Sequence, residues 1–297
     1  MENTIQENYR EMKRDRQKKV REKLMFGLFT LCMMAVVIPT LLIIGFIVVK
    51  GIGTVNWSFL TEMPSMGMKE GGIFPAIVGT LYLVLGTIIF SLPLGVGAAI
   101  YLTEYAKQGK LTRLIRIAVL NLAGVPSVVY GLFGLGLFVF FLGFGSSILA
   151  GSLTLACLIL PIIITTSEEA IKSVPDSYRE ASLALGASKW ETIARIVLPQ
   201  AIPGIMTGGI LGIGRAAGET APILLTVAAF FIPRLPGSVF DQVMALPYHL
   251  YIVSTQVPGM PESIKYGTAL VLLGVVGVFF ALATVIRLKF KKMSHLE

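Results

Sequence analysis

The sequence predicts an all-α protein that crosses a lipid bilayer with six helices. Of its 297 residues 55% are hydrophobic and only 14% are charged, whereas a soluble domain carries about 25% charged residues. Apolar runs long enough to span a bilayer, at about 1.5 Å per helical residue, recur along the chain. The Lys and Arg residues between those runs are concentrated in every second connection, as polytopic membrane proteins require.

The first apolar run covers residues 24–49 and contains no charge. It exceeds the roughly 7–15 apolar residues of a signal peptide, and no clear small-x-small cleavage site follows it. We therefore interpret it as a retained first transmembrane helix. The preceding segment, residues 1–23, is interpreted as a solvated tail or a helical extension. Its basic residues are Arg10, Lys13, Arg14, Arg16, Lys18, Lys19, Arg21 and Lys23.

Five further apolar runs predict the remaining helices. Their approximate bounds are 73–101, 114–142, 147–166, 201–230 and 266–286. Together they form a predicted transmembrane core over residues 73–287, which a short tail follows at 288–297. Pro126 predicts a kink in the third span, where Asn121, Ser127 and Tyr130 supply polar groups.

The distribution of Lys and Arg fixes the expected orientation. The two tails and the connections around 104–116 and 167–199 hold 20 of these residues, against 4 in the other connections. The positive-inside rule then places both termini in the cytoplasm. The net charge of +8 is explained by this topology, so we expect no nucleic-acid partner.

The chemistry-bearing residues are too few and too scattered for other classes of site. The two His residues, at 249 and 295, and the two Cys residues, at 32 and 157, are far apart in sequence. They form no metal-ligand spacing and indicate no disulfide. No nucleophile–base set lies at membrane depth, so we expect neither an enzyme nor a bound metal or cofactor.

Two charged residues are predicted at membrane depth, Arg215 and Glu219 in the fifth span. Charges there are costly and usually face the bundle interior or a hydrated path. On a helical wheel of the fifth span, residues 201–230, seven residues fall within about 80° of arc. They are Gly204, Gly208, Gly212, Arg215, Glu219, Pro222 and Thr226.

Two interpretations of this face stay open. The glycines either let another helix approach closely or leave room for a hydrated path. Arg215 either forms a structural ion pair with Glu219 or binds an oxyanion, because its planar fork of donors matches phosphate and sulfate geometry. Glu219 could accept a hydrogen bond from hydrogen phosphate, which sulfate cannot donate at neutral pH.

The largest charged connection, residues 173–199, predicts two short helices. Ser177 with Glu180, and Ser188 with Glu191, both fit a capping box. Gly186 lies between them, where a left-handed helix terminus is least costly. We expect Pro199 to end the second helix.

The same connection resembles the cytoplasmic "EAA" loop of bacterial ABC importer permeases. The matching residues are Glu180-Ala181-Ser182, then Gly186, then Ile196-Val-Leu198-Pro199. Ser182 departs from the usual Ala, a small-for-small change. The resemblance implies that residues 176–190 dock onto a separate ATPase subunit, with Glu180, Ala181, Gly186, Leu198 and Pro199 in the coupling segment 173–199. The chain itself has no phosphate-binding P-loop motif.

A second resemblance concerns the transported ligand. The stretch Arg215-Ala-Ala-Gly-Glu219-Thr220-Ala-Pro-Ile-Leu-Leu225 is similar to the signature of phosphate ABC transporter permeases, the PstA type in particular. Matches at 71–80, 122–133 and 244–251 agree with it, so that the similarity covers about 70–287. Sulfate and molybdate permeases carry a related stretch and remain an alternative ligand class. An ion-coupled carrier is a further alternative, although such a carrier needs no ATPase-docking segment.

The resemblance implies a type I ABC importer permease fold in a bacterial inner membrane. It implies a second, C-type permease, two ATPase subunits, an external phosphate-binding protein and surrounding lipid as partners, with alternating access as the mechanism. Arg215, Glu219 and Thr220 would line the substrate pathway, with Asn121, Ser127 and Tyr130 as further candidates. We expect the connection 231–265, with its Tyr248-His-Leu-Tyr251 stretch, to face the binding protein.

Overall fold

α-Helices account for most of the chain, which confirms the predicted fold class. The computed structural model describes the backbone of residues 2–107 and 109–293, and the side chains of residues 18–19, 21–107 and 109–289. The expectations for the basic side chains at positions 10–16 and for His295 fall outside these described side chains. The helices are α1 (Glu2–Gly51), α2 (Trp57–Thr61), α3 (Phe74–Ile100), α4 (Lys110–Ala123), α5 (Ser127–Gly134), α6 (Ile148–Lys172), α7 (Asp176–Ala184), α8 (Lys189–Thr192), α9 (Leu198–Gly218), α10 (Ala221–Thr226), α11 (Leu246–Thr255) and α12 (Glu262–Met293).

Three π-helical turns extend these helices. They follow α3 (Tyr101–Tyr105), α5 (Leu135–Phe141) and α8 (Ile193–Val197). A small antiparallel hairpin precedes α3, with strands β1 (Pro64–Ser65) and β2 (Glu70–Gly71) joined by a 3-10 turn at Met66–Met68. Helix α3 begins immediately after the hairpin, with Pro75 in its first turn, where a missing N–H costs least.

The chain divides into two compact units after Lys50. The first unit consists of α1, which continues from the basic segment into the apolar run without a break. Most of its apolar side chains between residues 24 and 49 are exposed. A helix of this kind suits a lipid environment, because all its backbone hydrogen bonds are internal.

The second unit is organised around α6, which packs against α3 and α9. Large side chains of α6, among them Leu155, Leu158, Ile159, Ile163 and Ile171, are fully buried. The neighbouring helices approach α6 through glycines, for example where Gly95 of α3 faces Ile163. Membrane helices use small residues in this way because lipid supplies no hydrophobic drive for their association.

Five helices of the described residues are long and apolar enough to cross a membrane, or six if a bent pair counts as one span. The bent pair consists of Lys110–Ala123 and Ser127–Phe141, which meet at 103°. Between them lie Gly124, Val125 and Pro126, and proline disfavours helical backbone in the residue before it. The kink expected at Pro126 is therefore a sharp break.

Two expectations for the connection 173–199 are wrong. Helix α7 begins at Asp176 after Pro175, with no side-chain cap, so Ser177 and Glu180 lie inside it. Pro199 does not end a helix, because it occupies the first turn of α9, directly after the π-helical turn. That wider turn accommodates a proline, which cannot fit against an α-helical carbonyl four residues earlier.

The connection 231–265 is partly helical. Helix α11 occupies residues 246–255, and Leu246 and His249 are almost fully buried. Tyr248 stacks on Tyr251 with ring centroids 6.3 Å apart. The Tyr248–Tyr251 stretch therefore contributes mainly Tyr251, which is 44% exposed, to the surface.

Candidate functional site

The Arg215–Glu219 stretch lies at a helix break and not, as expected, within one continuous helix. Helix α9 ends at Gly218, Glu219 has an extended backbone with ψ of 134°, and α10 begins at Ala221. Pro222 in the first turn of α10 explains the restart, because proline is well tolerated at a helix start. The helix face that the seven residues were predicted to share therefore extends only as far as α9 does, to Gly218.

Arg215 and Glu219 still form a pair across this break. Nε of Arg215 lies 3.4 Å from Oε1 of Glu219, and the two side chains are 31% and 17% exposed. This distance is beyond the usual 2.7–3.2 Å of a strong hydrogen bond. Among the described residues, the terminal nitrogens of Arg215 have no acceptor. The guanidinium therefore retains donors for another group, and its position in the last turn of α9 favours a cation.

The glycine face of α9 packs against α6. A Cβ at Gly208 would collide with Thr166, one at Gly204 would lie 2.5 Å from Cβ of Ala170, and one at Gly212 would lie 3.2 Å from Ile159. These contacts support the first interpretation of this face, in which the glycines let α9 approach α6 closely.

Two of the candidate polar residues lie on the helix that faces α10. Gly131 of α5 packs against Ala221, Pro222 and Leu225, which brings Ser127 and Tyr130 of the same helix to this region. The Tyr130 phenol lies close enough to Arg215 to interact with it electrostatically. Its hydroxyl also donates a 2.9 Å hydrogen bond to the Leu122 carbonyl across the 103° bend.

The remaining candidates are less closely associated with Arg215. Thr220 is half-buried at the helix break, adjacent to Glu219. Asn121 is exposed on α4. In the described part of the chain, no hydrogen bond joins Asn121 to Arg215 or Glu219.

Of the predicted coupling residues, Glu180 and Ala181 lie on the short helix α7, Gly186 lies between α7 and α8, and Leu198 and Pro199 begin α9. Gly186 has a φ of +87°, which confirms the left-handed terminus, and Ser188 and Glu191 form the expected capping box. Glu180, Ala181, Gly186 and Pro199 are exposed, whereas Leu198 packs against buried residues of α3, α6 and α9. The outer surface also carries large apolar side chains. These are Tyr178, Leu183, Leu185 and Trp190, with exposures of 51%, 50%, 90% and 62%.

Residues 91–288 match the family described as "Binding-protein-dependent transport system inner membrane component". The chain belongs to this family. A curated relative, the Mycobacterium tuberculosis "Phosphate transport system permease protein PstA 1", is 41% identical over 73% of this chain and 71% of its own length. A "Probable ABC transporter permease protein YqgI" of Bacillus subtilis is 35% identical over 87% of this chain and 92% of its own. The chain is thus a multi-pass transporter membrane subunit, and the resemblance to PstA-type permeases is confirmed.

Solved structures support the same fold for this permease. A bacterial importer of the acidic polysaccharide alginate superposes with a TM-score of 0.60 at 16% identity, covering 93% of this chain and 96% of the other. The MetNI methionine transporter superposes with a TM-score of 0.56 at 17% identity, covering 74% and 94%. At identities this low, the superpositions support the type I importer permease fold. They carry no information on which ligand is transported.

The permease also contains charged contacts that its sequence did not predict. Arg179 of α7 binds Glu104 with Nη2 and Oε1 2.9 Å apart, although 75 positions separate the two residues. On α6, Oε2 of Glu168 accepts a hydrogen bond from Nζ of Lys172 at 2.7 Å. The same oxygen lies 3.2 Å from Nε of Arg116. Sequence patterns indicated only loop charges here, because the Arg179–Glu104 and Arg116–Glu168 contacts join distant segments and leave no periodic signal.

Proposed function

We propose that this permease is the A-type membrane subunit of an ATP-driven, high-affinity importer of inorganic phosphate. Its pathway would include Arg215 with Glu219 and Thr220, and Ser127, Tyr130 and Asn121 as further contacts. The observation that carries this proposal is the partly paired guanidinium at the helix break. Its open fork of donors suits an oxyanion, and it stays charged at any relevant pH.

The relatives named as phosphate permeases support phosphate as the ligand. Glu219 adds a chemical reason, since a carboxylate beside the guanidinium can accept a proton-bearing oxygen of hydrogen phosphate. A fully ionised sulfate would meet repulsion at the same carboxylate. The solved neighbours for methionine and alginate have the same fold, so the ligand is determined by side chains such as these and not by the fold.

The partners and topology follow from the same proposal. Residues 1–23 and 288–297 are cytoplasmic tails, 24–49 is the first span, and 73–287 is the permease core, in a bacterial inner membrane. A second, C-type permease completes the pathway, two ATPase subunits dock on the segment 173–199, and an external binding protein delivers phosphate. The exposed apolar residues of α7 and α8 support docking, because exposed apolar clusters mark protein interfaces.

In this mechanism the chain supplies the pathway and the ATPase supplies the energy. Closure of the ATPase dimer on ATP would move α7 and α8 and open the spans outward. Phosphate would then pass from the binding protein to Arg215, and hydrolysis would return the spans to the inward-open state. A ligand such as ATP can shift the spans between the inward-open and outward-open states only if it binds one of these states more tightly than the other.

Uptake of radiolabelled phosphate tests the proposal in cells whose only copy of this permease is altered. We expect Arg215→Ala to lower uptake at least about tenfold, and Arg215→Lys to lower it less, since the fork is lost but the charge is kept. Arg113→Ala, at an exposed position of α4, is the matched control. Wild-type uptake in both Arg215 variants would contradict the proposal. Competition by sulfate as strong as that by unlabelled phosphate would favour the sulfate or molybdate class.

A further inference from the structure

Arg179 is the most completely bonded charged side chain of the cytoplasmic helices. Nε and Nη2 donate to Oε1 of Glu104 at 3.1 and 2.9 Å. Nη2 also donates to the Ile171 carbonyl at 2.9 Å, and Nη1 donates to the Val174 carbonyl at 2.7 Å and to Asp176 at 3.1 Å. The Arg179 and Glu104 side chains are only 16% and 10% exposed.

These bonds join three elements of the fold. Glu104 belongs to the π-helical turn that follows α3, while Ile171 lies in the last turn of α6 and Val174 lies two residues beyond that helix. Arg179 is in the first turns of α7, so one guanidinium ties that helix to two membrane helices. Lys189 of α8 reinforces the junction, because its ammonium donates to the Glu104 carbonyl and lies 5.0 Å from the centroid of the Tyr105 ring.

The two neighbours Arg179 and Glu180 therefore have different surroundings. Glu180 is exposed on the surface proposed to dock the ATPase, whereas Arg179 faces the ends of α3 and α6. A buried ion pair adds little net stability compared with an apolar packing, but removing one partner leaves an uncompensated charge. Such a pair is better suited to holding segments in one relative position than to strengthening the fold.

We infer that Glu104 and Arg179 are positioning residues that make α7 move as one body with the ends of α3 and α6. This inference rests on the proposed function, because it assigns the path by which ATPase motion reaches the spans. The hydrogen bonds of the Arg179 guanidinium all go to groups of this chain. Its loss should leave the exposed docking surface in place and break the link behind it.

The test uses the complete reconstituted complex, with radiolabelled phosphate and binding protein on one side and ATP on the other. We expect Arg179→Gln and Glu104→Gln to retain the ATPase subunits and to hydrolyse ATP, yet to move about tenfold less phosphate per ATP. Arg179→Lys should give an intermediate ratio, since it keeps the charge but not the carbonyl contacts. Arg113→Gln and Glu169→Gln, at exposed positions outside the coupling segment, are the matched controls.

A cross-link separates positioning from a merely structural role. In a Cys32→Ser/Cys157→Ala background, Glu104→Cys with Arg179→Cys should be uncoupled, and a short bis-methanethiosulfonate reagent should restore the ratio. A wild-type ratio in both single Gln variants would overturn the inference, as would a cross-link that blocks transport. Loss of the ATPase from every variant, cross-linked or not, would also overturn it. A wild-type complex without phosphate-stimulated ATP hydrolysis or transport would contradict the proposed function itself, and with it the coupling role.

Discussion

Arg179 and Arg215 are the same residue type in two opposite bonding states. Arg179 uses all three nitrogens on groups of this chain, at distances of 2.7–3.1 Å. Among the described residues, Arg215 has one hydrogen-bonding contact, of 3.4 Å, and its side chain is 31% exposed. The first guanidinium is satisfied within the fold, whereas the second retains open donors at the end of a membrane helix.

The difference separates a structural use of charge from a ligand-binding use. An arginine carries five N–H donors, and a donor left unpaired in a buried site costs about 1–3 kcal/mol. Arg179 avoids this cost by capping helix carbonyls and pairing with Glu104. Open donors on Arg215 are tolerable only where water or an anion reaches them, which is the property expected of a pathway.

His249 extends the comparison to a titratable group with no partner. Its side chain is 1% exposed, and neither imidazole nitrogen has a hydrogen-bond partner among the described residues. Burial lowers the pKa of His249 from 6.5 to about 4. Between these two values the unfolded chain binds a proton that the folded chain does not, so stability falls as the pH drops below 6.5. The full loss is on the order of 3 kcal/mol.

Thermal unfolding of the purified permease at pH 7.5 and pH 5 measures this effect. We expect the midpoint of the wild type to fall more steeply than that of His249→Leu, which has no group to protonate. Leu is close to His in size and satisfies the apolar surroundings without hydrogen bonds. Equal pH dependence in the two proteins would show that His249 is solvated or already paired.

Gly208 tests whether α9 packs closely on α6 through its glycine face. A Cβ at Gly208 would collide with Thr166, whereas at Gly209 the nearest atom is Cδ1 of Leu92 at 3.7 Å. We expect Gly208→Ala to destabilise by about 1–3 kcal/mol through overpacking. Gly209→Ala should be neutral or stabilise by up to about 1 kcal/mol, because Ala favours helix. The unfolding midpoints of the two variants are compared in the same detergent. Equal losses of stability in Gly208→Ala and Gly209→Ala would contradict close packing at Gly208.

The sequence predicted those parts of the fold and site that depend on local patterns. The apolar runs identified the membrane helices, and Gly186 with Ser188 and Glu191 marked the turn of the coupling segment. The break after Gly218 was missed because periodicity continues through it, although Pro222 was a readable sign. Pro199 was misread because its effect depends on a π-helical turn that has no known sequence pattern. The bond from Arg179 to Glu104 needed the folded chain, since it joins residues 75 positions apart.

The smallest expected effect on stability concerns the carboxylate partners of the two arginines. Replacing a carboxylate by the isosteric amide removes the charge from each pair in turn, as Glu104→Gln and Glu219→Gln. We expect Glu104→Gln to destabilise by about 1–3 kcal/mol, because it weakens two short charge-assisted bonds. Glu219→Gln removes one long contact to a partly exposed guanidinium, so its cost should stay below about 1 kcal/mol. Phosphate uptake should nevertheless fall in Glu219→Gln if the carboxylate receives the proton-bearing oxygen. Unfolding midpoints and phosphate uptake, measured on the same preparations, test these expectations. A larger loss of stability in Glu219→Gln than in Glu104→Gln would show that Arg215 has a structural role.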